Sequence, residues 1–372
     1  MKGAIQQLLG ARTMIECERY LELPMASEKS KVNTFMDLQE KIFKRVSRWK
    51  EKFISKAGRE ILIKIAAQAI TTYSMSLSKL PKTICDGINS LLAKYWWGQN
   101  KDEKKIHWIN WIKLCTQKKD GGMGFRDLHA FNLVMLAKQA WRLTHNFHSL
   151  FYRVYKAKYF SDCSFMMTGL GNSPSFVWQS LLAARDNISE GSSLRIGDGR
   201  TIGISAHSWL SHSPIFLNGA QDSFRVCDLI NGSTRRWNRG KVFATFHQRT
   251  RDEIMAFPLT NLNLLDTMFW KENKAQRFSV RTAYQVALRL QNQNRVEHSS
   301  AQMHRPTWNK LWTLNVPPKI RTFIWRASSN CLPICDNLHR KRVKVEARCE
   351  LCCQHPKTTG YLLWAYSFAR NV

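Results

Sequence analysis

The sequence predicts a mainly α fold with small β-hairpins, of the α+β class, arranged as an N-terminal helical bundle, a mixed middle region and a small C-terminal domain. Three observations lead there. Apolar residues recur at helical spacing through the first hundred residues; the spacing changes to two on either side of Gly197-Asp198-Gly199; and a polar stretch, QNQNRVEHSSAQMH at 291–304, interrupts the pattern before a final compact segment. The segments expected are 1–165, 166–290, a linker at 291–305, and 306–372.

The first helix follows from Phe35, Leu38, Ile42, Val46 and Trp49, an apolar stripe whose opposite face carries Lys41, Lys44, Arg45 and Arg48. A second pattern runs from about Ala57 to Leu80 and stops at Pro81. A third puts Ile84, Ile88, Leu91, Leu92, Tyr95 and Trp96 on one face and stops at Gly98. His107, Trp108, Ile109 and Trp111 read as a short extended or turn segment before the tight-turn string GGMGF at 121–125. Asp127 is expected to cap a helix through 131–143, with another at 149–159, and Ser175 to cap one carrying Trp178, Leu181 and Leu182.

Beyond that point Leu194 and Ile196 alternate up to the glycine turn and Ile202 and Ile204 beyond it, which predicts a hairpin. A second hairpin is expected from Met268–Trp270 and Phe278–Val280 around Asn273, then a helix from Arg281 to about Gln291. In the tail, Trp308, Leu311 and Trp312 precede a helix start at Pro317-Pro318 with the face Ile320, Phe323, Ile324 and Ala327. No internal repeat is found.

Charge narrows the function. The 372 residues hold 57 Lys and Arg against 27 Asp and Glu, a formal net charge of +30, while 44% hydrophobic content argues against wholesale disorder. Such an excess sits most comfortably beside a polyanion, so RNA or DNA is the expected partner. No apolar run reaches the roughly 18 residues that span a bilayer, and the first thirty residues do not resemble a signal peptide. The expected location is nuclear or cytoplasmic, with no membrane partner and no secretion. Of ten cysteines five are solitary; Cys331, Cys335, Cys349, Cys352 and Cys353 cluster near the end.

Read in order, ERYLELPMASEKSK at 18–31, WKEKFISKAGREILIK at 49–64, LAKYWWG at 92–98, GGMGFRDLHAFNLVMLAKQAWRL at 121–143, KAKYF at 156–160, IGDG at 196–199 and WNKLWTLNVPPKIRTFIWRA at 308–327 resemble the C-terminal part of plant non-LTR (LINE-type) retrotransposon reverse transcriptases. The resemblance implies that the first part is thumb-like and that the last is a reverse transcriptase zinc-binding domain. It also implies a polymerase palm upstream and often an RNase H domain downstream, both expected to lie outside this chain. Polymerisation needs paired carboxylates that hold two metals, supplied in the family by a Tyr-x-Asp-Asp turn, and no Asp-Asp pair occurs here. The chain alone is therefore expected to be no enzyme, acting if at all with a separate palm in trans.

The family's zinc ligands are a C-x-x-C pair, a His and a Cys. Cys349 and Cys352 keep the pair, while alignment puts Tyr361 and Tyr366 at the other two positions, and neutral tyrosine is a poor zinc ligand. The expectation is no cofactor, or zinc held weakly, unless His355, His339 or another cysteine substitutes. The tail would then fold on Trp308, Trp312, Ile320, Phe323 and Ile324, with residues 345–372 loosely ordered. Other departures, Glu22 where a Gly is usual and Ser205 and His207 where Trp and Asp are common, suggest a decayed element copy.

The basic run HRKRVK at 339–344, with Arg340, Lys341, Arg342 and Lys344, and Arg348 after it, reads as a phosphate-binding stretch, an import signal or a solvated face, with the nucleic-acid role favoured. The cationic back of the first helix is read the same way, and most tryptophans as packing. Gly197-Asp198-Gly199 lacks the Lys-Ser/Thr of a P-loop and reads as a turn. Ser205, His207 and Asp198 form no supported hydrolase triad. The leading reading is thus a nucleic-acid-binding piece of a reverse transcriptase, gripping phosphates with little sequence preference; the alternative is a non-functional relic or a protein-interaction module.

Overall fold

The computed structural model describes residues 19–20, 23–24, 31–99, 103–205, 209–217, 224–259, 265–292, 305–346 and 355–370. It is mainly α-helical with three two-stranded sheets. Two compact units emerge: the first comprises Met1–Ser74, Leu80–His129 and Val296–Val372, the second Met75–Lys79 and Ala130–Arg295.

The first unit opens with the antiparallel pair β1 (Arg19–Tyr20) and β2 (Leu23–Pro24). Helix α1 (Lys31–Lys50) buries Phe35, Leu38, Ile42 and Val46, the stripe its sequence spacing requires. The helix expected from Ala57 to Leu80 is not continuous. It divides into α2 (Lys56–Ile61), a π-helical stretch (Leu62–Ala67), α3 (Gln68–Ile70) and α4 (Thr72–Leu77). Directly after the π turns Gln68 is buried, and its amide closes two hydrogen bonds on the Arg126 backbone, donating to the carbonyl (3.1 Å) and accepting from the N–H (3.3 Å). Helix α5 (Lys82–Trp97) starts after Pro81 and ends at Gly98, whose φ of 79° supplies the left-handed cap. It buries Ile84, Ile88, Leu92, Tyr95, Trp96 and Trp97.

Helix α6 (Trp111–Cys115) is capped by Asn110, and the GGMGF string folds back on it: Met123 and Phe125 donate to Leu114 O and Gly124 to Thr116 O. This string is a docking platform for the end of the chain. Helices α14 (Arg305–Thr313), α15 (Pro318–Ser328) and α16 (Cys335–Arg340) belong to this unit, and Trp325 Nε1 donates to Gly121 O at 2.9 Å while Trp312 Nε1 donates to Lys118 O at 3.1 Å. Trp325, fully buried, meets Trp96, which in turn meets Phe125 edge to face.

The face expected of α15 is rotated. Of the expected face Ala327 is buried and Ile324 half-buried, but Ile320 and Phe323 are exposed while Thr322 and Trp325 are buried, because the Trp325 bond to Gly121 sets which side of the helix meets the unit. Nor are all of residues 345–372 loose: Tyr361–Ala365 form a π-helical turn and α17 (Ser367–Arg370) follows, with Leu362 packed on Ala327, Leu332 and Ile334.

The second unit contains α7 (Leu128–His145) from Ala130 on, α8 (Leu150–Tyr159), α9 (Phe176–Leu182), α10 (Arg185–Gly191), α11 (Arg239–Thr245), α12 (Gln248–Ala256) and α13 (Val280–Asn292). Ser149 and Ser175 cap α8 and α9, and buried Trp178 lies between Tyr159, stacked at 4.5 Å, and Phe160. Strands β4 (Ile230–Asn231) and β5 (Arg236–Trp237) make a small hairpin.

The hairpin expected around Gly197-Asp198-Gly199 does not form. Strand β3 (Ser192–Arg195) pairs antiparallel with β6 (Thr267–Trp270), Ser192 opposite Trp270, and Ile196, Ile202 and Ile204 all enter one buried cluster with Val226 and Phe246. The glycine turn is held by Asp266 instead: Oδ1 accepts from Gly197 N (2.8 Å) and Gly199 N (2.9 Å), Oδ2 from Thr201 N (3.0 Å) and Thr201 Oγ1 (2.7 Å). The turn is an anion nest already filled by a carboxylate of the same chain. The second expected hairpin fails as well. The Asn273 side chain closes a turn on Arg277, and Val280 opens α13 rather than ending a strand.

Candidate nucleic-acid interface

On α1, Lys44, Arg45 and Arg48 are exposed and Lys41 is half-buried. Lys44 pairs with Glu40 at 2.8 Å, an exposed i,i+4 bridge of small energetic worth that a phosphate can displace. Lys44, Arg45 and Arg48 thus lie on the solvent side of an amphipathic helix. Arg340, exposed at the end of α16, bridges Asp336 at 3.0 Å in the same manner, and Lys341, Arg342 and Lys344 are exposed beyond it. Arg348, Cys349, Cys352 and Cys353 lie outside the described residues.

A second group of cations has no local sequence signature. Lys56, at the first position of α2, donates its ammonium to Trp96 O and sits over the rings of Trp96 (5.4 Å) and Trp97 (5.5 Å). Burial, then the neighbouring Arg59 and Arg326 charges, lower its pKa from 10.5 to about 7. Arg59 donates to Tyr95 O at 3.4 Å and covers the Tyr95 ring at 5.6 Å. Arg326 is held below its ordinary range by burial, which the Cys331 side chain opposes. Cys331 is itself buried, its thiol pushed up to about 11, with Arg326, Lys113 and Lys341 as the cations that oppose the shift. Lys341 also reaches His107 O at 3.4 Å, and His107 is lowered by burial and then by Lys94.

Helices α2, α5, α6, α15 and α16 thereby bring Lys56, Arg59, Lys94, Lys113, Arg326 and Lys341 into one neighbourhood around Trp96, Trp97 and His107. Glu60, next to Arg59 in the chain, is taken by Lys64 (2.7 Å) and Lys118 (2.8 Å). Of the six, sequence reasoning names Lys341 alone. The Lys56–Arg59 spacing of three places both on one side of a helix, a signal visible in KAGR, but nothing local announces that Arg326 joins them.

Comparison with known proteins now bears on this unit. Residues 278–372 match the family described as zinc-binding in reverse transcriptase. An Arabidopsis thaliana protein named "Putative ribonuclease H protein" is 28% identical over 341 residues, 89% of this chain and 54% of that protein. An uncharacterized mitochondrial protein of the same plant is 40% identical over 132 residues, 35% of this chain and 86% of that protein.

The chain belongs to the retrotransposon-derived, reverse-transcriptase-related fragments. It spans about half the length, 54%, of the longer relative. The motifs by which this reverse transcriptase chain resembles its family, GGMGF and the tryptophans of 308–327, are those that meet in the first unit.

Cys349 and Cys352 lie outside the described residues, and Tyr361 and Tyr366 stand at the positions the family resemblance assigns to the other two zinc ligands. Tyr361 and Tyr366 face each other with ring centroids 5.9 Å apart, and His355 stands 5.5 Å from Tyr361. A phenol is a poorer zinc donor than an imidazole or a thiolate. Among the described residues no three His, Cys, Asp or Glu side chains group in a way that could hold a metal ion, and no described helix is long and apolar enough to cross a membrane.

Proposed function

We propose that the first unit of this reverse transcriptase chain binds RNA or DNA through phosphate contacts with little sequence preference. The observation that carries the reading is the gathering of Lys56, Arg59, Arg326, Lys113 and Lys341, where the charges acting on Lys56 are both positive. Mutually repelling cations burden the unbound protein, and an arriving polyanion relieves them. The exposed Arg45 and Arg48 on α1 extend the charge across a second helix. Because phosphates repeat along any strand, such contacts fix position without reading bases.

With no adjacent pair of aspartates to hold two metals, the chain is proposed to support template handling without itself extending a primer, a palm in trans supplying the carboxylates. The test is the salt dependence of binding to a fluorescent duplex. Six phosphate contacts give a slope of log K against log salt of about −5. The triple change Arg45→Ala, Arg48→Ala and Lys341→Ala should make that slope shallower by up to about three. A slope near zero for the parent chain would leave the +30 charge a plain surface property and favour the relic or protein-interaction reading.

A further inference from the structure

The loop between α1 and α2 holds an aromatic ring that no core uses. Phe53 is wholly solvent-exposed, at 110% of the reference surface for its type, more than any other large apolar side chain described. Its backbone is nonetheless fixed. Lys52 N donates to Trp49 O at 3.3 Å and Ile54 N donates to Lys52 O at 2.8 Å, so Phe53 is the apex of a three-residue γ-turn. On the following side Ser55 Oγ accepts from Gly58 N at 3.2 Å, and Ile54 lies so close to Gly58 that an added Cβ would come within 2.7 Å of Ile54 Cγ2. The turn therefore directs Ile54 onto the protein and Phe53 away from it.

Cations flank the ring in the chain. Arg45 and Arg48 end the exposed face of α1, Lys52 is exposed beside the ring, and Glu51 is the single acidic residue between positions 41 and 59. A rigidly presented phenyl ring among cations is suited to a flat apolar partner that carries phosphates on either side, which is an unpaired nucleotide.

We propose that Phe53 stacks on an unpaired base of single-stranded nucleic acid while Arg45, Arg48 and Lys52 hold the flanking phosphates. This rests on the nucleic-acid reading above and adds the form of the ligand. Inside a duplex the base faces are already covered by their neighbours, so the ring should contribute there little or nothing.

The experiment measures binding of the full chain to an oligo-dT strand and to a duplex of equal length at one salt concentration, then across a salt series. Phe53→Ala should weaken binding to the single strand about fivefold to a hundredfold, the range found for one stacked base, and leave the duplex unchanged. Its salt slope should stay that of the parent, since no charge is removed. Phe53→Leu, apolar but not planar, should lose the same affinity, and Phe53→Trp should keep it; the exposed position leaves the fold intact, checked by circular dichroism. An unchanged single-strand affinity in Phe53→Ala beside a steep parental slope would overturn the stacking proposal alone and turn the ring over to a protein contact. Equal losses on both ligands would overturn it too. Absence of all binding by the parent would remove the nucleic-acid reading and this proposal together.

Discussion

Replacing Lys56 by Met should stabilise the protein, and the gain should depend on pH in a defined way. In the folded state the Lys56 amine titrates at about 7 instead of 10.5. At 1.36 kcal/mol per pH unit, its charged form carries a burden on the order of 5 kcal/mol. Below the folded pKa the amine is charged both folded and unfolded, and the whole burden is felt. Between about pH 7 and 10.5 the unfolded chain binds more protons, so stability climbs with pH, and above that window the group contributes nothing. Urea unfolding of parent and Lys56→Met, followed by tryptophan fluorescence from about pH 6 to pH 9.5, should show the variant more stable by up to about 5 kcal/mol at the acid end. That advantage should shrink toward zero at the alkaline end, no faster than 1.36 kcal/mol per pH unit. A difference constant with pH, or a variant less stable throughout, would refute the placement of a costly buried charge at this site.

Gly122→Ala should destabilise the first unit by about 3 kcal/mol or more, since its Cβ would stand 2.2 Å from the backbone oxygen of Thr116; Gly240→Ala, whose nearest neighbour is Asn238 Oδ1 at 3.5 Å, should be neutral to stabilising in the same chemical-denaturation assay. Asp266→Ala strips the acceptor from Gly197, Gly199 and Thr201 and should cost about 2–4 kcal/mol, with faster hydrogen exchange at those three amides. Purified protein should contain well under one zinc per chain by elemental analysis, and Tyr361→His with Tyr366→Cys should restore stoichiometric binding; one tightly held zinc in the unaltered chain would show that other ligands have taken over.

Helices α1 and α5 are legible in the sequence because each buries one stripe of local residues, and the 3.6-residue period records that directly. Pairing is not local, and there the reading fails. Alternation at Leu194 and Ile196 signals an extended segment, but its partner, β6, comes some seventy residues later, and the polar atoms that shape the intervening turn belong to Asp266. The α15 face is partly misread for a related reason: a periodicity argument weighs Ile320 and Phe323 above one Trp, whereas the Trp325 indole bond to Gly121 decides the rotation. Among the site residues, the exposed cations of α1 and of residues 340–344 follow from simple runs. Lys56, Arg59, Lys113 and Arg326 become neighbours through packing across distant segments, which composition cannot encode.

The interleaved arrangement of the first unit sets an order of assembly. Its core needs Trp96 and Phe125 from early in the chain and Trp325 from late in it, with the second unit's residues synthesised between. On the ribosome, α5 and the GGMGF platform emerge with their tryptophan surfaces unfilled and must wait for some two hundred further residues. The second unit, apart from Met75–Lys79, is continuous and can consolidate meanwhile. A stop anywhere before α15 would consequently strip the first unit of its central indole, and α15 made by itself would present Trp325 to water.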